Sequence, residues 1–143
     1  MTEAVVRIDR LGAQGDGVAT YNNAPLYVPF ALPDEEVKVR IDGERAELLE
    51  ILHPSADRIE PVCPHFGVCG GCAMQHLAAA RYAQWKIDQI RTALSHRGLD
   101  IAIASPCISP PGSRRRARFT ARRDKGSFWL GFAGRRSHVI VNV

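Results

Sequence analysis

Three cysteines fall within ten residues, in the run Cys-Pro-His-Phe-Gly-Val-Cys-Gly-Gly-Cys from Cys63 to Cys72. Gaps of five and two residues let the three sulfurs converge on one small volume, as a tetrahedral zinc or an iron-sulfur cluster requires. Gly67, Gly70 and Gly71 allow positive φ and bring backbone N–H groups toward sulfur. Disulfides suit the chain poorly. Its start, MTEAVVRIDR, has no apolar core preceded by positive charge, and no apolar stretch is long enough to span a membrane. A cytoplasmic chain with no membrane association is therefore expected, and clustered cysteines there point to metal. The remaining thiol, Cys107, stands in a proline-rich loop that does not look built for metal. His65 and His76 flank the thiols, and either could add a nitrogen ligand; a structural hydrogen-bonding role is favoured.

The charge is divided as sharply as the cysteines are clustered. Residues 1–62 hold 6 Lys and Arg against 12 Asp and Glu, and residues 63–143 hold 13 against 3, so the halves carry −6 and +10. Such a split marks two functionally distinct parts, the positive one suited to a polyanion such as a nucleic-acid backbone. Much of that charge is Arg114, Arg115, Arg116, Arg118, Arg122 and Arg123, with Arg135 and Arg136 further on. Read as a strand, 114–123 places Arg114, Arg116 and Arg118 on one face. Guanidinium forks bind phosphate through paired N–H bonds, so RNA phosphate is the favoured partner over a merely solvated face. Phe128, Trp129 and Phe132 are read as core, with base stacking as the alternative.

Hydrophobic periodicity separates two regions, 1–56 and 57–143. In the first, short β-branched runs at 4–8, 18–21, 26–30, 36–41 and 44–52 are broken by Gly12, Gly15 and Gly17, by Asn22-Asn23, by Pro33-Asp34 and by Gly43. Val37, Val39 and Ile41 alternate with Lys38 and Arg40. Five strands too short to stand as isolated hairpins predict a small OB-like barrel. In the second region Ala83, Ile87, Ile90 and Leu94 recur at helical spacing, with Gly98 at C′. The helix is expected to pack on the cysteine loop, with Met74, Tyr82 and Trp85 as core or, alternatively, as a shield over the metal. Strand-like runs at 114–123, 127–133 and 138–143, separated by Asp124-Lys125-Gly126 and Gly134-Arg135-Arg136, predict an antiparallel β-meander. The fold class is thus mainly β with one helix.

CPHFGVCGGCAMQH, with DRLGAQGDGVA and LYVPFALPDEEV upstream and GSRRRARF and GFAGRRSHVIVNV downstream, resembles the RNA uridine-5-methyltransferase family, especially its bacterial 23S ribosomal RNA branch. The resemblance implies a TRAM barrel, then the start of a central domain in which Cys63, Cys69 and Cys72 are ligands of a 4Fe-4S cluster. It also implies a fourth ligand cysteine just beyond the strand matching His138 to Val143. The implied enzyme is an S-adenosylmethionine-dependent RNA (uracil-5-)-methyltransferase. Its cofactor-binding domain, nucleophilic cysteine and catalytic base have no counterpart among these residues, so no catalytic or cofactor-binding residue is assigned and the chain alone is expected to be inactive. The implied partner is RNA, specifically 23S ribosomal RNA, met by a monomer. A zinc-stabilised RNA-binding module and an iron-sulfur electron carrier are the competing readings. A radical S-adenosylmethionine site is set aside, because its cysteines are spaced by three and two residues and the first gap here is five.

Overall fold

The computed structural model describes residues 2–124 and 126–143, the side chain of Asp124 excepted. Five strands, β1 (Thr2–Leu11), β2 (Gly17–Tyr21), β3 (Ala24–Val28), β4 (Glu36–Asp42) and β5 (Arg45–His53), close into a barrel in the order β1-β2-β3-β5-β4. Turn chemistry sets the corners. Asn22 and Asn23 both take positive φ, 50° and 61°, the type I′ geometry that matches strand twist in a two-residue hairpin. Closure comes where Tyr27 of β3 pairs in parallel with Arg45 of β5, the Tyr27 N–H donating to Glu44 O at 2.9 Å.

Alternation decides which side chains fill the barrel. On β4, Val37 and Val39 are fully buried and Ile41 packs against them, while Lys38 and Arg40 point outward to Glu3 and Glu47. Val6, Ile8, Ala19, Leu26, Val28 and Ala46 complete the interior. Each buried Val, Leu or Ile contributes about 1.5–3 kcal/mol relative to exposure, so this one cluster is the main source of stability here. Gly17 has no room for a side chain, because a Cβ would stand 2.7 Å from the carbonyl oxygen of Ala31.

Helix α1 (Ala79–Ser95) follows the cysteine loop. Its end carries the two hydrogen bonds of a Schellman motif, Gly98 N–H to Ser95 O and Leu99 N–H to Leu94 O, with Gly98 at φ +68° as expected. The contacts recorded for its first turn run to the segment leaving the barrel: Ala78 N–H donates to Asp57 O, and Arg81 Nε lies 3.2 Å from Asp57 Oδ2. A separate sheet holds β6 (Thr120–Asp124), β7 (Ser127–Ala133) and β8 (Ile140–Asn142) in sequential antiparallel order. The turn expected at Asp124-Lys125-Gly126 includes Lys125, which lies outside the described residues.

Two compact units share the chain, and they interleave. One comprises Met1–Ile59 and His76–Cys107, the other Glu60–Gln75 and Ile108–Val143. The cause is a long-range pairing: Arg58 bridges Leu77, and Ile59 N–H donates to His76 O at 2.9 Å, so the cysteine loop leaves and re-enters at one place. The helix accordingly groups with the barrel, whereas sequence reading set it with the cysteine loop and divided the chain once, after residue 56. A strand over 114–123 was also expected. Only its end is one; 114–119 carry no regular structure, as four closely spaced guanidiniums beside Pro110, Pro111 and Gly112 would discourage.

Candidate functional site

The cysteine loop is built from successive tight turns. Phe66 N–H donates to Cys63 O, and Val68 and Cys69 N–H both donate to His65 O. Its far end is sewn to the end of β7, where Cys69 bridges Gly134, Gly70 N–H donates to Ala133 O at 3.0 Å and Arg135 N–H donates to Val68 O at 3.1 Å. Glycine is needed at this seam: a Cβ on Gly70 would lie 2.9 Å from Ala133 O. At its near end, the Gln75 side chain accepts from Cys63 N–H at 3.1 Å.

In kind, the donors suit a metal or cluster: Cys63, Cys69 and Cys72 share one loop, and Gly71 N–H lies 3.4 Å from Cys69 Sγ, the sort of donor that thiolate ligands receive. Among the described residues, however, no three His, Cys, Asp or Glu side chains are placed as a metal-holding group. Cys107 is exposed and belongs by contacts to the barrel-helix unit. So does His76, whose ring is buried 6.1 Å from that of Phe30. Trp85, offered above as core or shield, lies in that unit also, its ring 6.0 Å from Tyr82.

The second unit concentrates positive charge. Its residues hold 9 Lys and Arg against 2 Asp and Glu, a net +7. Arg114, Arg115, Arg116, Arg118, Arg122 and Arg123 are all exposed, and none forms an ion pair with a described residue. Arg136 is exposed in a left-handed turn at φ 51°, and Arg135 is half-buried beside the cysteine loop. The strand register adds rings to the cations: Arg122 stands opposite Trp129 and Arg123 opposite Phe128. Cross-strand partners share a face, so each pair presents a guanidinium beside an aromatic ring. The aromatics were expected in the core, and the sheet corrects this, for Phe128 is 68% and Trp129 46% exposed. Three strands bury little; of β7 only Gly131 is buried, while Phe132 pairs with exposed Phe119 at 5.0 Å between ring centroids.

The barrel's own cations are mostly committed. Lys38 Nζ lies 2.8 Å from Glu3, whose hydrogen bond and charge hold the ammonium above its ordinary range. Arg40 bonds Glu47 at 2.7 Å. One carboxylate with a structural role gave no sequence signal. Glu35, in the run Pro-Asp-Glu-Glu, reads as a surface turn yet is fully buried, accepting from Leu32 N–H, Ser55 N–H and both Nε and Nη2 of Arg58. Burial pushes its carboxyl up, but the Arg58 hydrogen bonds, the two backbone donors and the Arg58 charge outweigh that and hold it below its ordinary value.

Residues 2–48, which hold β1 to β4 and the start of β5, match the TRAM domain. Over nearly the whole chain there is similarity to proteins with a shared name: 48% identity across 95% of this chain to "Uncharacterized RNA methyltransferase" of Caulobacter vibrioides, and 41% across 100% to another from Rhizobium meliloti. The 23S rRNA (uracil(1939)-C(5))-methyltransferase RlmD of Vibrio cholerae is 38% identical across 96% of the chain. The chain thus corresponds to one part of proteins named RNA methyltransferases, and the TRAM match lies within it. It spans about a third of the length of the curated relatives it matches, 34%, 36% and 33% of these three. Among the described residues no helix is long and apolar enough to cross a membrane.

Proposed function

We propose that this chain is the RNA-recognition and 4Fe-4S-binding portion of an S-adenosylmethionine-dependent methyltransferase that modifies C5 of a uridine in ribosomal RNA. The register of β6 on β7 carries the RNA reading. Cations that attract phosphate and rings on which an unstacked base can lie are interleaved on one exposed sheet, the combination that single-strand binders use. The relatives' names supply the reaction class, and the Vibrio relative's name supplies 23S ribosomal RNA as the partner.

Cys63, Cys69 and Cys72 would hold the cluster, which would cross-link the loop between its two anchored ends. Gly71 N–H would donate to the Cys69 thiolate, and Gly70 would keep the loop against the sheet. Iron and acid-labile sulfide analysis after anaerobic reconstitution decides between this and a zinc site. For RNA, affinity for a 23S ribosomal RNA fragment is measured against salt in the wild type and in an Arg122→Ala, Arg123→Ala, Trp129→Ala variant. Loss of affinity with a shallower salt slope is expected. Unchanged affinity and slope would remove this sheet from RNA recognition.

A further inference from the structure

Toward the end of the β6–β7 hairpin the register sets two arginine-aromatic pairs next to each other, Arg122 opposite Trp129 and Arg123 opposite Phe128. Successive residues of a strand point to opposite faces of the sheet, so neighbouring pairs do not share one. Arg122 and Trp129 therefore stand on one face, and Arg123 and Phe128 on the other. All four residues are exposed. One further pair, Asp124 with Ser127, completes the hairpin beyond them, so the two rings flank its tip.

The two faces differ in what surrounds the ring. On the Phe128 face the register places Ala121 with Leu130 and Phe132 with Val141, an apolar surface to which Phe119 adds its ring. On the Trp129 face it places Thr120 and Asn142, on either side of Gly131. The apolar face suits the broad, flat surface of a base pair. The other, with one ring among polar side chains, suits a single base whose edge is free. Residues 114–130 hold six Arg and one Lys against one Asp, a net +6, so the hairpin draws a polyanion.

Layers packed on a sheet lie about 10 Å apart, so two bases on its opposite faces are separated by at least about that distance. Stacked nucleotides along a strand are about 3.4 Å apart. Bases that meet the two rings cannot stay neighbours in one stack. We propose that the β6–β7 hairpin caps the end of an RNA stem: the last base pair lies on Phe128, the first unpaired base is displaced onto Trp129, and Arg123 and Arg122 meet the phosphates on the two sides. The proposal rests on the RNA-binding reading above and gives its substrate class, a junction between paired and unpaired RNA.

Two adjacent 2-aminopurines, one in the last pair of a stem-loop of 23S ribosomal sequence and one at its first unpaired position, give an exciton circular-dichroism band only while stacked. Saturation with the wild-type chain should abolish that band. The stem-loop should bind about five- to tenfold tighter than the loop strand alone or the fully paired duplex. Phe128→Ala and Trp129→Ala should each remove this preference and, at saturation, leave the band in place. The double variant should bind within about twofold of either single one, because a cap that has lost one ring makes no use of the other. Trp129→Phe and Phe128→Tyr, which keep a ring, should retain both the preference and the loss of the band, as a general loss of folding would not allow. A band that survives saturation by the wild type, equal affinity for stem-loop and loop strand, or additive losses in the double variant overturns the cap and leaves RNA binding by the sheet standing. Absence of binding to all three RNAs by fluorescence anisotropy overturns both.

Discussion

Arg58 Nε lies 2.6 Å from Oε1 of Glu35, a carboxylate with no solvent exposure. The same guanidinium donates to Phe30 O at 2.7 Å, so one side chain ties the barrel's exit segment to the loop between β3 and β4. Removing the cation alone leaves a buried charge with only backbone donors. Arg58→Ala should therefore cost about 3–5 kcal/mol, seen as a lower urea midpoint with unchanged m-value. An unaltered midpoint would mean that water reaches Glu35 in the variant.

The same pair gives an acid limb. Because the folded pKa of Glu35 is depressed below its ordinary 4.5, its stabilising contribution is full above that value and fades as pH falls through the folded one. Thermal midpoints of the wild type should drop below pH ~4.5, and Glu35→Gln should show a shallower drop. Parallel profiles would assign acid sensitivity to other carboxylates.

Gly70 offers a way to disturb metal binding without touching a thiol. Since an added Cβ would press on Ala133 O at 2.9 Å, Gly70→Ala should unseat the loop from β7. Anaerobic reconstitution of the wild type is expected to yield about four irons per chain, labile to oxygen. Gly70→Ala should retain less iron, and Cys63→Ser less still. Full iron retention in a triple Cys63, Cys69 and Cys72 to Ser variant would refute the cluster assignment.

Charge reversal at Lys38 and Arg40 should weaken RNA binding less than neutralising Arg114, Arg116 and Arg118. The barrel cations already face Glu3 and Glu47, whereas the three arginines are exposed and form no ion pair with a described residue. The arginine variant should flatten the log-log salt dependence by about two to three units, at about 0.7 to 0.9 per lost phosphate contact. The opposite ranking would make the barrel the principal RNA surface.

The barrel was legible because its causes are local. Alternation at Val37, Val39 and Ile41 and the Asn22-Asn23 turn each act within a few residues, and the structure keeps all five strands near their expected places. What escaped was nonlocal. Nothing near Arg58 announces that it will bridge Leu77, nor near Glu35 that Arg58 will cover it, 23 residues away. The exposure of Phe128 and Trp129 was hidden for a related reason: whether an aromatic in a strand is buried depends on what packs over the sheet, not on the strand itself.

The bridge between Arg58 and Leu77 brings the two stems of the cysteine loop together, so residues 60–75 form a cassette with adjacent ends. A loop whose stems are held by the rest of the fold can be exchanged for a shorter one at little entropic cost. Replacing 60–75 by a tight glycine-containing turn should give a graft-ready scaffold in which barrel and helix still fold, and into which thiol loops of other spacing can be transplanted.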